Sequence, residues 1–402
     1  MSTADRKSPQ ALAGVRVIGL TNWLSGAYAE QLLADMGAEV IRVERPGTGD
    51  DARQAPPFHH GVSTTYLYPN RNKKSVTLNL KDPRGADLLK QLVAGADVLI
   101  ENQRPGMLER LGLGYDVLSQ ANPALVMTSI SGFGQTGPYR QQPAYDMNIQ
   151  AITGLMSLTG MPDGPPVRAG VAISDYLAGL NAAYATLAAF IHRGNTGEGQ
   201  HVDVSLFEST VAVFGTALQD YLLMGKARSR AGNRFGPMAP TNIYPCLDGW
   251  MLLTVGNEAQ WSRLIEVLDL QACRTDPRFD TVEHRVTHHD ELDALVTPWT
   301  KVRTVKDAVG LLTTAGVPAG PVNTVADLVA DPQFKSRGIA VEVEDPAIGR
   351  LPLVAAMPRL SRTPGQVKLP PPVLGQHNAE VYSSLLGLDE AHLAELQTAG
   401  VI

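Results

Sequence analysis

Residues 15–43, VRVIGLTNWLSGAYAEQLLADMGAEVIRV, decide the fold. Val15–Leu20 is a short apolar run, Ala27–Met36 carries helical spacing, and Glu39–Val43 is extended again. A strand, a helix and a second strand in so short a stretch form a βαβ unit, whose crossover makes the two strands parallel. The pattern continues downstream. Val76–Leu80 alternates, Gly85–Val93 has helical spacing, and Asp97–Ile100 (DVLI) and Leu125–Ile130 (LVMTSI) read as buried strands. Strands alternating with helices predict an α/β fold with a Rossmann-like, doubly wound parallel sheet.

From Asp146 to Phe207 the texture changes to apolar helices. Leu177, Leu180, Tyr184, Leu187 and Ile191 recur at helical spacing and predict one buried stripe. Ser174 or Asp175 opens that helix and Gly194 closes it. His201–Leu206 alternates as a strand, and Glu208–Met224 reads as one long helix. The chain divides into a large domain over 1–225, a basic, Gly-containing linker over 226–238, and a smaller α+β domain over 239–330. Strands near Asn242–Cys246 and Met251–Thr254 and helices at Gln260–Leu268 and Val305–Ala315 fill the smaller domain. Residues 331–402 are proline-rich at first and then helix-like.

A length of 402 residues suits two domains at roughly 150 residues each. With 44% hydrophobic and 18% charged residues, the chain is globular rather than disordered. A net charge of −6 offers no general affinity for nucleic acid or an anionic membrane, so an anionic ligand needs a local basic site. Cys246 and Cys273 cannot build a disulfide framework or a four-ligand zinc site, and they fit a reducing compartment. The opening MSTADRKSPQ lacks the apolar core of a secretory signal. The longest apolar stretch, Ala182–Ile191, is far shorter than the roughly 20 residues that span a bilayer. The reading is a soluble, cytoplasmic protein with no nucleic-acid or membrane partner.

The loop after the first strand, TNWLSGA, contains no G-x-G-x-x-G, so a dinucleotide cradle is missing. The second strand ends in Glu44-Arg45-Pro46-Gly47. Arg45 there suits a ligand with an extra ribose phosphate, as in NADP or coenzyme A, and equally suits an exposed strand end. Gly132, Gly134 and Gly137 do spell G-x-G-x-x-G, but no amphipathic helix follows Pro138. They read as a loop at the carboxyl end of a strand, where open α/β sheets hold ligands. His284, His288, His289 and Asp290 read as a solvated helix face, and no metal site is expected. Asp175 meets the start of the buried helix, where it can be a first-turn residue or an ionised nucleophile towards an activated acyl group.

Several segments in order resemble the family III CoA transferases, the formyl-CoA and carnitine CoA-transferase type. They include LAGVRVIGLT (12–21), LLADMGAEVIRVERPGTGD (32–50), NRNKKSVTLNLKDPRG (70–85) and IENQRPGMLERLGLGYD (100–116). SGFGQTGPY (131–139), YDMNIQAITGLMSLTG (145–160), RAGVAISDYLAG (168–179) and TGEGQHVDVSLFES (196–209) follow, and AGVPAGPVNTVADL (315–328) and PPPVLGQHNAEV (370–381) complete the series. The resemblance implies an enzyme that moves CoA from an acyl-CoA thioester to a carboxylic acid, through aspartyl anhydride and aspartyl-CoA thioester intermediates. It implies Asp175 as the nucleophile, Arg45 at the nucleotide end of CoA, and Leu78 and Lys81 lining the adenine. Asn102 and Arg110 match positions along the CoA site, and Tyr145 and Asp146 match positions beside the catalytic centre. No permanently bound cofactor is implied, since CoA is substrate. An interlocked homodimer is also implied, with residues 331–402 returning to the large domain. The loop over Ser131–Pro138, or one near Gly232–Gly236, is the candidate lid.

Two features depart from the formyl-CoA type. Leu24 stands where those enzymes carry glutamine, and GNRFGPMAPTN holds no tetraglycine loop, so a less polar acid is expected. The related 2-methylacyl-CoA racemases place a histidine where this sequence has Tyr145, which makes racemase the alternative reading. An NADP-dependent oxidoreductase is a distant third.

Overall fold

The computed structural model describes residues 10–402. The first nine residues, and with them most of the stretch read as lacking a secretory signal, lie outside the described residues. The opening βαβ unit forms as β1 (Arg16–Leu20), α1 (Ser25–Asp35) and β2 (Glu39–Glu44). There follow β3 (Lys73–Thr77), α2 (Pro83–Ala94), β4 (Val98–Glu101), α3 (Tyr115–Ala121), β5 (Val126–Ser131), α4 (Asp146–Ile152), α5 (Ile173–Thr196) and β6 (His201–Ser205). The strands pair in the order β3-β2-β1-β4-β5-β6, every pair parallel. Ile18 of β1 lies between Ile41 of β2 and Leu99 of β4. The order reverses between β1 and β4, which opens a crevice at their carboxyl ends.

Alternation along the strands feeds two cores. Ile18, Leu20, Ile41, Val43 and Leu99 bury with residues of α2 on one side of the sheet, and Val17, Val40, Val98 and Ile100 bury with α1 and α5 on the other.

The long helix α5 corrects the sequence reading. Its buried face is Ala178, Gly179, Ala182, Ala183, Thr186 and Ala189. The expected stripe points outward instead: Leu180 is 53% exposed, Tyr184 71% and Ile191 67% in the single chain. Close approach to α1 explains the choice, because a Cβ on Gly179 would stand 2.6 Å from the Ser25 carbonyl oxygen. Only small residues fit there. The helix also runs past Gly194 to Thr196, and Gly197, at φ 80°, forms its C-cap. Glu208–Met224 is not one helix. It is broken at Gly215 (φ 53°) into α6 (Leu206–Val211) and α7 (Thr216–Met224).

Contacts divide the chain into two units. The first runs to Leu155 and takes in Ala169–Thr216 and Arg337–Ile402, and the second comprises Met156–Arg168 and Ala217–Ser336. The second holds an antiparallel sheet of β7 (Thr241–Pro245), β8 (Trp250–Thr254) and β9 (Ala319–Pro321), with β8 central. Helices α8 (Glu258–Leu268), α9 (His289–Lys301) and α10 (Val305–Thr314) complete its core. His289 is buried there, not solvated as expected, because α9 turns His289, Leu292, Val296 and Thr300 inward at helical spacing. In the first unit, α11 (Asn378–Leu386) and α12 (Glu390–Thr398) return to the sheet, and Val381, Tyr382, Val401 and Ile402 join the α2 side of its core. Among the described residues no helix is long and apolar enough to cross a membrane.

The α1–α5 contact makes a sharp prediction. Gly179→Val should lower unfolding free energy by about 1–3 kcal/mol through overpacking, read by urea denaturation. Unchanged stability would mean the two helices do not meet at this spacing.

Candidate active site

The crevice rests on charges buried inside the sheet. Arg42 and Glu44 alternate with Val40 onto the α1–α5 side of β2, and all three are buried. Arg42 donates to the Thr21 carbonyl (2.9 Å) and pairs with Asp50 and Asn70. Asp50 in turn accepts from the backbone N–H groups of Trp23 (3.0 Å) and Ala52 (2.8 Å). Trp23, at φ 61°, adopts a conformation rare outside glycine, and this bond helps to hold it there. Below lies Lys73, which donates to Glu30 (2.7 Å) and to Asn70 (3.0 Å). Burial pushes Lys73 down to about 8, although Glu30 favours its charge. Burial alone would raise Glu44, but Arg53, at 2.7 Å, and Arg42 outweigh it and hold Glu44 at about 2. Charges taken from water stay ionised only when partnered in this way. The result is a fixed β1–α1 loop.

Above this base a cavity of about 740 Å³ opens at the carboxyl ends of β1 and β2 and the loop after β3. Thr21, Asn22, Val43, Pro46, Asp50, Gln103 and Met107 contribute to its walls. Four residues named from the sequence line it: Arg45, Leu78, Lys81 and Arg110. Three are cations, and Leu78 supplies an apolar wall. Arg45 is largely exposed, pairs with Asp51 and donates to the Gly49 carbonyl (3.2 Å). Arg45 is thus an exposed strand-end cation that also borders the cavity.

Asn102 adjoins the cavity rather than lining it. Its side chain accepts from Asn22 N–H (2.8 Å) and donates to Asn22 C=O (2.7 Å), clasping the β1–α1 loop. Asn22 also donates to Asp51 (2.5 Å) and accepts from its backbone N–H (2.9 Å). A continuous chain of bonds thus runs from Asn102 to Arg45.

Asp175 stands in the first turn of α5, partly buried, with the Ser25 hydroxyl hydrogen-bonded to it. Burial, and then the nearby charge of Asp146, push its carboxyl up to about 7, while Ser25 opposes the shift. Ser25 opens α1, whose N-cap, Leu24, offers no side-chain acceptor. The starts of α1 and α5 therefore converge at Asp175. Asp146 is buried and braced, accepting from Ser174 N–H (2.8 Å) and Gln150 (2.6 Å). It braces the start of α5 and adds to the proton affinity that burial gives Asp175. Tyr145 precedes α4 and is 64% exposed. None of these three lines the cavity, but residues 22–25 link the cavity wall to Asp175.

The glycine loop leaves β5, as expected. Gly134 N–H donates to Ser131 (2.9 Å), Gln135 N–H donates to Asp203 (3.0 Å), and α4 does not begin until Asp146. Sequence reasoning missed Asn22, Ser25, Asp50, Asp51 and Gln103. The charges inside EVIRVE were the one available signal.

Known proteins match this architecture closely. The model of CoA-transferase family III matches residues 12–378. Succinyl-CoA--D-citramalate CoA-transferase of Chloroflexus aurantiacus is 41% identical, over 99% of this chain and 100% of its own length. Succinate--glutarate CoA-transferase of Agrobacterium fabrum is 40% identical, over 95% of this chain and 96% of its own. The crystal structure of a CAIB/BAIF family protein from Brucella suis aligns with a TM-score of 0.85 at 37% identity, covering 94% of this chain and 100% of that one.

Asp175 titration can be followed directly by carbon NMR of labelled aspartate. The wild-type midpoint should fall near 7, and Asp146→Asn should move it down by removing a like charge. An unmoved midpoint would show that Asp146 does not set it.

Proposed function

The chain belongs to CoA-transferase family III, and on that premise we propose that Asp175 carries CoA from an acyl-CoA thioester to a free carboxylic acid through covalent intermediates. The observation that carries this reading is Asp175 itself. It is a partly buried carboxyl of raised proton affinity, hydrogen-bonded to Ser25, which follows shortly after Asn22 in the wall of a cavity bearing three cations.

The chemistry follows from that arrangement. The Asp175 carboxylate attacks the thioester carbonyl, the C–S bond breaks, and CoA leaves as thiolate, giving a mixed aspartyl anhydride. The thiolate then attacks the aspartyl carbon of the anhydride and expels the first acid, leaving an aspartyl-CoA thioester. The acceptor carboxylate repeats the two steps in reverse. No proton is gained or lost overall, and acyl activation is conserved at every stage. A carboxylate of pKa near 7 is a better nucleophile than an ordinary aspartate and is still half ionised at neutral pH. Negative charge building on the attacked oxygen is favoured by the two helix starts that converge there. Exclusion of water protects the anhydride, and the glycine loop after β5 is suited to that task.

In this reading the cavity takes the nucleotide of CoA. Leu78 packs the adenine, Arg45 takes the 3′-phosphate, and Lys81 and Arg110 balance the remaining phosphates. The names of the two relatives contain succinate, citramalate and glutarate. They weigh towards dicarboxylic acids as substrates and away from the less polar acid expected from Leu24. A homodimer is supported by the exposed apolar face of α5, since Leu180, Tyr184 and Ile191 would otherwise remain in water. The interlocked form of that dimer belongs to the proposal, as does a reducing, cytoplasmic setting.

Asp175→Ala should lower CoA transfer at least about a thousandfold, as loss of a covalent nucleophile does. Measured against succinyl-CoA with a panel of carboxylic acids, transfer retained by that variant would sink the mechanism. Arg45→Gln should weaken CoA about tenfold, the loss of one charge-assisted phosphate contact, and weaken 3′-dephospho-CoA far less. Equal losses for both ligands would move the 3′-phosphate contact elsewhere.

A further inference from the structure

One wall of the cavity comes from the far end of the sequence. Gly400, just past α12, lines the cavity together with Leu78, Asn79 and Lys81. The chain turns there in a helix-ending motif: Gly400 has φ 68°, its N–H donates to the Gln397 carbonyl (3.0 Å), and Val401 N–H reaches back to the Leu396 carbonyl (2.9 Å). The turn drives the Val401 side chain fully into the core and aims its carbonyl at Asn79, whose N–H donates to it (2.8 Å).

Asn79 is the organiser of the β3–α2 loop. Its side-chain oxygen accepts from Lys81 N–H (3.1 Å), and its backbone carbonyl accepts from Asp82 N–H (3.1 Å). That carbonyl sits so close to Gly85 that an added Cβ would stand 2.2 Å from it. On the other side, Leu78 N–H donates to the Glu44 carbonyl (2.8 Å). The loop carrying Leu78 and Lys81 is therefore gripped from two directions, by β2 and by the segment after α12. A segment that only filled the core would need the side chains of Val401 and Ile402. It would need neither the bond to Asn79 nor Gly400 in the cavity wall.

We infer that segment 400–402 is a positioning element of the nucleotide site: by holding Asn79 it fixes Leu78 and Lys81 in the wall that receives the adenosine bisphosphate of CoA. The inference rests on the reading that this cavity takes the nucleotide. Coupling of this kind is reciprocal, so nucleotide binding tightens the segment as the segment tightens the nucleotide.

Two measurements test it. In hydrogen exchange of the full chain, saturating CoA should slow exchange of the Asn79 and Val401 amides. In calorimetry, deleting residues 401–402 should weaken CoA about tenfold and raise KM for acyl-CoA more than it lowers kcat. Leu78→Glu in the full chain is the companion variant. If Leu78→Glu leaves CoA affinity unchanged, the nucleotide reading of the cavity is wrong. If Leu78→Glu weakens CoA while the shortened, folded chain binds it as the wild type does, the inference alone is overturned. Should the shortened chain fail to fold, hydrogen exchange decides, and an unchanged Val401 amide overturns it.

Discussion

The pair between Arg42 and Asp50 is the constraint on which the site depends. Both side chains are fully buried, and each reaches beyond the other. Arg42 holds the carbonyl of Thr21 where β1 ends, and Asp50 holds the N–H of Trp23 in its left-handed turn. Two loops that leave neighbouring strands are thereby locked at the mouth of the crevice. Buried ion pairs add little net stability over apolar packing, and removing one member leaves an uncompensated charge costing about 3–5 kcal/mol. Such a network is retained for position more than for strength. Here the position is that of residues 22–25, which carry both the cavity wall and the hydroxyl beside Asp175.

The meeting of α1 and α5 supplies the second requirement. Gly179 lets α5 approach the first turn of α1, and the helix starts converge with Asp175 between them. Two opposing influences act on that carboxyl. Burial and Asp146 favour its protonated form, whereas Ser25 favours the anion. A carboxyl raised in the folded state favours folding at low pH. It withdraws that support as pH climbs from the ordinary aspartate range through about 7. On the proposed role, the raised proton affinity that would strengthen Asp175 as a nucleophile costs stability near neutral pH.

Much of this was legible in the sequence because it is local. The apolar periodicities of 15–43 mark β1, α1 and β2 within a few residues, and the start of α5 beside Asp175 follows from the helix pattern there. Arg45 stood out by its place at the strand end, Leu78, Lys81 and Arg110 entered through the family resemblance, and all four line one cavity. What escaped is not local. Periodicity shows that α5 has an apolar face and says nothing of what covers it. Gly179 and its neighbouring alanines claimed the interior, leaving Tyr184 and Ile191 outside. Nothing local marks Arg42 and Lys73 as buried, because the partners that let them be so, Asp50 and Glu30, belong to other elements. Gly400 lies more than three hundred residues from the loop it helps to shape.

The covalent role of Asp175 is the centre of the account, and peptide mass spectrometry of the trapped intermediate tests it most directly. Protein incubated with succinyl-CoA and no acceptor, then denatured and digested, should carry CoA in thioester linkage on the peptide containing Asp175. Hydroxylamine should release that CoA and leave a hydroxamate on the same residue. Full transfer activity with no CoA or hydroxamate ever found at Asp175 would contradict the account.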